Sequence, residues 1–255
     1  MELFFRKYGE GKPVIILHGL YGMSDNWNTI GKKIAEKNFC VFIPDQRNHG
    51  ESPHSAEFSY EILAGDLTDF IQQHSISDPI IIGHSMGGKV AMTYAMNHPG
   101  SIDKLVVVDI GIKNYGPHEE ELVDALISVN IENTSSRNEI ENLLLDKIKS
   151  IRVSQLMMKN VKRISEGHFE WKLNVKAIKE NFSLLFAGIE SGMQYDGDVL
   201  FIRGELSDYI KDEDVPGIRK LFNNVKIRTI EGASHWVHAD KPEEFLKLVL
   251  EFISN

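Results

Sequence analysis

The chain has 255 residues, with 28 basic and 37 acidic side chains and a formal net charge of -9. An acidic balance of this kind argues against nucleic acid or an anionic membrane as the main partner, because both require a positive field. Cys40 is the single cysteine, which rules out an intrachain disulfide and argues against a cysteine-based zinc site.

The opening "MELFFRKYGEG" has neither the apolar stretch nor the cleavage site of a secretory signal, and the expected location is the cytoplasm. No apolar run approaches the roughly 18–20 residues of a membrane span, so no membrane insertion is expected. Short apolar, β-branched runs then recur at Val14–Leu17, Cys40–Pro44, Ile80–Ile82, Leu105–Ile110, Val199–Ile202 and Val225–Ile230. Their length and continuity fit strands buried on both faces of a parallel sheet. Cys40, inside one of them, reads as an inert core thiol. Helical spacing separates the runs: Ile30, Ile34 and Ala35 after Ser24 and Asp25, then Ile62, Leu63, Leu67, Phe70 and Ile71. Val90, Ala91, Tyr94 and Ala95 form a third stripe, and Phe245, Leu248, Val249 and Phe252 the last. Alternation of this kind predicts an α/β protein with a mostly parallel, doubly wound sheet.

One stretch breaks the alternation. From about Tyr115 to Gln194 only helical patterns are evident, at Leu122–Ile127, at Ile140–Ile148, at Met157, Val161 and Ile164, and at Ile178, Phe182, Leu185 and Phe186. A segment this long is no ordinary loop. It predicts a helical cap, residues 115–194, inserted between the two parts of a core formed by 1–114 and 195–255.

The chemistry concentrates at "PIIIGHSMGGKV". A Gly-x-Ser-x-Gly motif is weak alone, but here a buried-strand signature precedes it and a helix pattern follows. That is the context of a nucleophile elbow, with Ser85 exposed at a helix N-terminus. The plain alternative is a small residue shaping a tight turn. A serine nucleophile needs a base, and "EGASHWVHADKP" supplies His235 after the last strand, with His238 as its competitor. A metal site on this histidine pair is disfavoured, since no HExxH motif accompanies it. Two acids sit at strand ends. Asp109 closes "LVVVDI"; Asp208 follows the next strand in "FIRGELSDYI", 27 residues before His235. Either can orient an imidazole by accepting its Nδ1–H. The oxyanion requires two backbone N–H donors, for which Met86 follows the nucleophile and Leu20 lies in "ILHGLYG".

His18 reads as a loop-stabilising residue and His84 as packing or a pocket wall. Asp45 and Arg47 in "PDQRNHGES" read as an internal ion pair, with substrate contact as the alternative. Lys89 is expected on the helix surface or salt-bridged, because neither nucleotide-binding glycine pattern is present. Met157, Met158, Phe182, Phe186 and Met193 suggest an apolar acyl pocket, bounded near the base by Trp236.

Taken in order, "HGLYG", "DQRNHGES", "GHSMGGK", "VVVDI" and "SHWVHADKP" resemble the α/β-hydrolase superfamily across nearly the whole chain. Within it they are similar to the bacterial YbfF-type esterases and their mitochondrial relatives, which share "RNHG" where most hydrolases have "RGHG". The resemblance implies an α/β-hydrolase fold with a small helical cap, a serine esterase activity on a small acyl ester or thioester, no cofactor, and Ser85 and His235 in the triad. It also implies Asp109 as the acid, although "GELSDYI" supplies an aspartate where that family often lacks one, so both acids stand. C–C hydrolase, lactonase and perhydrolase chemistry use the same machinery, and a non-catalytic ligand-binding protein could retain it. Dehalogenase or epoxide hydrolase chemistry is disfavoured, since the elbow would then carry aspartate. Monomer and homodimer are equally compatible with the sequence.

Overall fold

The structure is a computed structural model that describes residues 1–116, 120–189 and 194–255. Its centre is a seven-stranded sheet in the order β1-β3-β2-β4-β5-β8-β9, built from β1 (Phe5–Tyr8), β2 (Lys12–Leu17), β3 (Phe39–Pro44), β4 (Ile80–His84), β5 (Lys104–Val108), β8 (Tyr195–Gly204) and β9 (Phe222–Ile230). Every pairing is parallel except β1 against β3. The antiparallel β1 has no counterpart among the expected strands. It is a four-residue edge strand with no fully buried residue, so its sequence carries no apolar run.

The central strands are buried on both faces, and alternate residues feed two separate cores. Val14, Ile16, Ile80, Ile82, Val106 and Val108 pack with α1 (Asn28–Ala35) and α11 (Pro242–Ile253). Ile15, Leu17, Ile81, Leu105 and Val107 pack with α2 (Tyr60–Gln73) and α3 (Met86–Asn97), and this second core continues into the segment 120–185. One continuous apolar core therefore seats that segment on the sheet. α9 (Val215–Leu221) and the short α10 (Val237–Asp240) complete the frame.

Between β5 and β8 lie α4 (Glu120–Ser128), α5 (Arg137–Ile148), α6 (Ile151–Lys159), α7 (Val175–Glu180) and α8 (Phe182–Leu185). This region is not wholly helical. An antiparallel hairpin, β6 (Val161–Ser165) and β7 (His168–Trp171), takes the place of the helix expected through Val161 and Ile164. β6 buries only its first residue, so it shows no strand-like apolar run, and Gly167 turns the hairpin at φ 71°.

Candidate active site

β2 and β4 are neighbours from which the chain proceeds in opposite directions across the sheet, and the crevice beyond their carboxyl ends is where open α/β sheets bind ligands. Ser85 sits there, between the end of β4 and the start of α3. Its φ of 52° and ψ of -121° lie outside the regions that ordinary side chains occupy. The flanking glycines permit that turn: a Cβ at Gly83 would lie 2.3 Å from the Gly87 carbonyl oxygen, and one at Gly87 would lie 2.3 Å from that of Leu17. The strained serine stands at the positive end of α3, where developing negative charge is favoured.

His235 follows β9 and lines the same cavity as Ser85. Its Nδ1 lies 2.8 Å from Oδ2 of Asp109, and since a carboxylate only accepts, Nδ1 carries the proton and Nε2 is left with its lone pair as an acceptor. Asp109, fully buried just past β5, is fixed in turn by the Gly204 N–H at 2.8 Å and by the Ser207 hydroxyl. The structure does not bring Asp208 to the imidazole. Its side chain is 93% exposed and pairs with Lys211, because the chain has already turned outward at Ser207. His238, the other candidate base, is buried and stacked on Trp27 at 3.9 Å, with its pKa pushed down to about 3 by burial.

Leu20 and Met86 both line the cavity at Ser85. The loop carrying Leu20 is tied down by neutral histidines. His18 donates from Nδ1 to the Gly19 carbonyl and accepts the Gln46 N–H at Nε2, and burial pushes its pKa to about 4. His84 donates from Nε2 to the His235 carbonyl at 2.9 Å, which fixes the backbone of the histidine loop. It also forms cavity wall, with Met157, Phe186 and Trp236. Phe182 does not reach this cavity. It stacks behind Phe186 at 4.3 Å, because the single turn of α8 directs it away from Ser85. Met158 is packed in the core, and Met193 lies outside the described residues.

Several lining residues were not anticipated: Tyr21, Tyr60, Leu122, Val153, Leu156, Leu185 and the pair Tyr115 and Tyr209. The Tyr209 ring stacks on the His235 imidazole at 3.9 Å and 19°. The Tyr115 hydroxyl accepts from the Gly111 N–H and donates to the Tyr209 carbonyl. Beside this cavity a second one includes Asn26, Arg152, Gln155 and Lys159 in its lining, and the two share Leu20, His84, Leu156 and Trp236 as walls. Arg152 lies over Trp236 at 4.4 Å and pairs with Asp240, whose carboxylate also takes the Ser234 N–H.

Two expectations about charged residues are corrected. Arg47 pairs with Asp66, at 2.6 and 2.9 Å, and not with Asp45. Asp45 instead accepts the N–H groups of Ser24 and Glu51, which tie the loop after β3 to the segment after β2 and to itself. Lys89 is not on the surface and has no salt bridge among the described residues: it is fully buried and donates to the carbonyls of Lys113 and Ala187. Among the described residues no group of three acidic, histidine or cysteine side chains could hold a metal ion, and no helix is long and apolar enough to cross a membrane.

A seven-stranded mixed sheet with a serine elbow, a buried acid and a late histidine at its carboxyl edge defines an α/β hydrolase, and the chain belongs to that family. The family described as "alpha/beta hydrolase fold" matches residues 12–137. The sn-1-specific diacylglycerol lipase ABHD11 of Danio rerio is 34% identical over 96% of this chain and 79% of its own length. Esterase YbfF of Escherichia coli is 29% identical over 95% of this chain and 93% of its own. Among solved structures, one described as a marine microorganism esterase superposes with a TM-score of 0.95 at 42% identity, covering 98% of this chain and 99% of that one.

Proposed function

We propose that this protein is a serine hydrolase that cleaves carboxylic esters, with acyl thioesters as a related substrate class, through an acyl-enzyme on Ser85. One observation carries the reading. A serine in a left-handed elbow and a histidine whose second nitrogen faces a buried carboxylate line a single, largely apolar cavity. His235 takes the Ser85 proton as Oγ attacks the carbonyl, and Asp109 holds the imidazole in the required tautomer. The N–H groups of Leu20 and Met86 receive the oxyanion, a contribution of about 3 kcal/mol per donor in such sites. Collapse expels the alcohol or thiol, which takes its proton from His235. The same histidine then activates water against the acyl-enzyme. This sequence of steps requires no metal or organic cofactor.

Met157, Phe186, Leu122 and Leu185 offer the acyl group an apolar wall, and His84 and Trp236 separate it from the side of the crevice that carries Arg152 and Lys159. The described part of residues 115–194 acts as the cap over this crevice. The buried, unpaired Cys40 suits a reducing cytoplasm. The esterase and lipase names of the relatives support the ester reading. Hydrolysis of short p-nitrophenyl esters by wild type and by Ser85→Ala tests it: the variant should fall to the background rate, and undiminished turnover would overturn the reading. A series of esters and acyl thioesters of graded length then defines the acyl preference.

A further inference from the structure

The loop that carries Leu20 contains a conformational liability. Tyr21 sits at φ 64°, a left-handed conformation that is unfavourable for a bulky residue and persists only when its surroundings over-determine it. Hydrogen bonds help to hold it, three of them in and around the turn. The Gly22 N–H closes the turn onto the Gly19 carbonyl at 3.0 Å. The Tyr21 N–H reaches Nε2 of His49, whose Nδ1 donates to the Arg47 carbonyl. The third comes from the other side of the crevice: Asn160, at the C-terminus of α6, donates from Nδ2 to the Tyr21 carbonyl at 2.8 Å.

Asn160 is built for this contact. It is fully buried, and its own backbone is fixed at both ends, N–H to the Met157 carbonyl and carbonyl to the Lys172 N–H. Its Nδ2 also reaches the Leu156 carbonyl at 3.3 Å, so both neighbours of the amide nitrogen are acceptors and the orientation of the amide is determined. The Oδ1, by contrast, is buried without a hydrogen-bond partner among the described residues. An apolar side chain of the same shape would avoid that stranded oxygen. What the amide supplies in exchange is the N–H held on Tyr21.

We infer that Asn160 is a positioning residue for the oxyanion loop, through which the cap helix α6 holds the Leu20 N–H in register with Ser85. The inference rests on the proposed roles of Ser85 and Leu20. Without the donated N–H, the Tyr21 peptide relaxes towards negative φ, and the tight turn from Gly19 to Gly22 moves Leu20 with it. Gly19 has little room of its own, since a Cβ there would lie 3.1 Å from that of Ser85. The cap is then part of the catalytic scaffold and not only a cover.

Two variants test this. Asn160→Leu fills the space without a donor. Asn160→Asp keeps the shape but turns the donor into a carboxylate facing a carbonyl, until acidification protonates it and restores an O–H for Tyr21. The ionisable neighbours are His49 and His18 on the core side, both held neutral by burial with pKa about 3 and about 4, and Lys159 and Lys172 along the cap chain. Neither histidine titrates in the range used. Both variants should lower kcat by about 10- to 100-fold with KM within about two-fold, the size of effect that a small misplacement of an oxyanion donor produces. The kcat ratio of Asn160→Asp to wild type should rise as the pH falls through the variant's carboxyl pKa, which burial raises. That of Asn160→Leu should stay level. Melting curves establish folding, and either variant alone still reads the kcat-against-KM split. Wild-type kcat in a folded variant, or a loss in Asn160→Asp that is level with pH, would overturn the inference. Ser85→Ala is measured in parallel. If it is inactive while the Asn160 variants keep full kcat, this inference fails alone, whereas a fully active Ser85→Ala removes the nucleophile reading and this inference with it.

Discussion

Asp109 and His235 lie 126 positions apart in the chain, yet their Oδ2 and Nδ1 atoms stand 2.8 Å apart beneath the serine elbow. Asp109 earns this position from the sheet: β5 ends beside β8, and the Gly204 N–H that closes β8 holds the other carboxylate oxygen. Asp109→Asn should keep the fold but favour the wrong imidazole tautomer, with a fall in kcat of about 10³–10⁴-fold. Asp208→Asn should leave ester turnover unchanged, because that carboxylate is exposed and pairs with Lys211 instead of the imidazole. Steady-state kinetics on one p-nitrophenyl ester separates the two, and a large loss in Asp208→Asn would contradict this geometry.

Acid should unfold the protein early. His18, His49 and His238 are buried neutral, with pKa pushed down to about 4, about 3 and about 3, chiefly by desolvation, against an ordinary value of 6.5. The unfolded chain binds these protons first. The stability is therefore complete above about pH 6.5 and is lost as the pH falls towards 4. Each histidine contributes a slope approaching about 1.4 kcal/mol per pH unit, or about 4 for the three together. Urea denaturation at several pH values between 7 and 4.5 should show this steep decline. A flat profile would mean that these rings are charged in the native state.

Lys89 offers the opposite end of the pH scale. Its amine serves two acceptors, the carbonyls of Lys113 and Ala187, which bracket the segment between β5 and β8, and burial lowers its pKa from 10.5 to about 7. A neutral amine still has the two N–H groups these bonds require. Lys89→Met strands both carbonyls and should cost about 1–3 kcal/mol. Because the folded-state pKa lies below the unfolded one, the lysine's contribution is complete only above pH 10.5 and shrinks as the pH falls towards 7. The advantage of wild type over Lys89→Met should thus widen with rising pH, measured by denaturant unfolding from pH 7 to 10.

What the sequence disclosed follows from where each signal resides. The central strands were legible because burial on both faces leaves unbroken apolar runs, and the serine elbow because its glycines are a local steric requirement. β1 and the β6–β7 hairpin were not, since exposed strands carry no such run. Lys89 reads as surface on any helical projection, and only the arrival of two distant carbonyls makes its burial tolerable. Which of Asp109 and Asp208 meets the imidazole is likewise invisible locally: both follow strands, and the difference is an outward turn at Ser207. Asn160 had no sequence signal at all, because its role exists only across the crevice.

The asparagine of "RNHG", at a position where most hydrolases carry glycine, has a structural reason that can be tested. Asn48 is fully buried at φ 67°, a conformation that asparagine tolerates better than most side chains. Its Oδ1 accepts the Ser55 N–H at 2.7 Å and Nδ2 of Asn174 at 3.1 Å, while its carbonyl accepts the Asn174 N–H at 3.0 Å. Asn174 in turn caps α7 by accepting the Ala177 N–H. The residue therefore clasps the loop after β3 to the segment between β5 and β8. Asn48→Gly retains the backbone geometry and the main-chain bond but loses both side-chain bonds, and glycine adds freedom to the unfolded chain. It should destabilise the protein by about 1–2 kcal/mol with kcat largely preserved. Limited proteolysis should then cut within 120–185 sooner than in wild type. Equal melting temperature and protease resistance in the glycine variant would show that the clasp holds nothing.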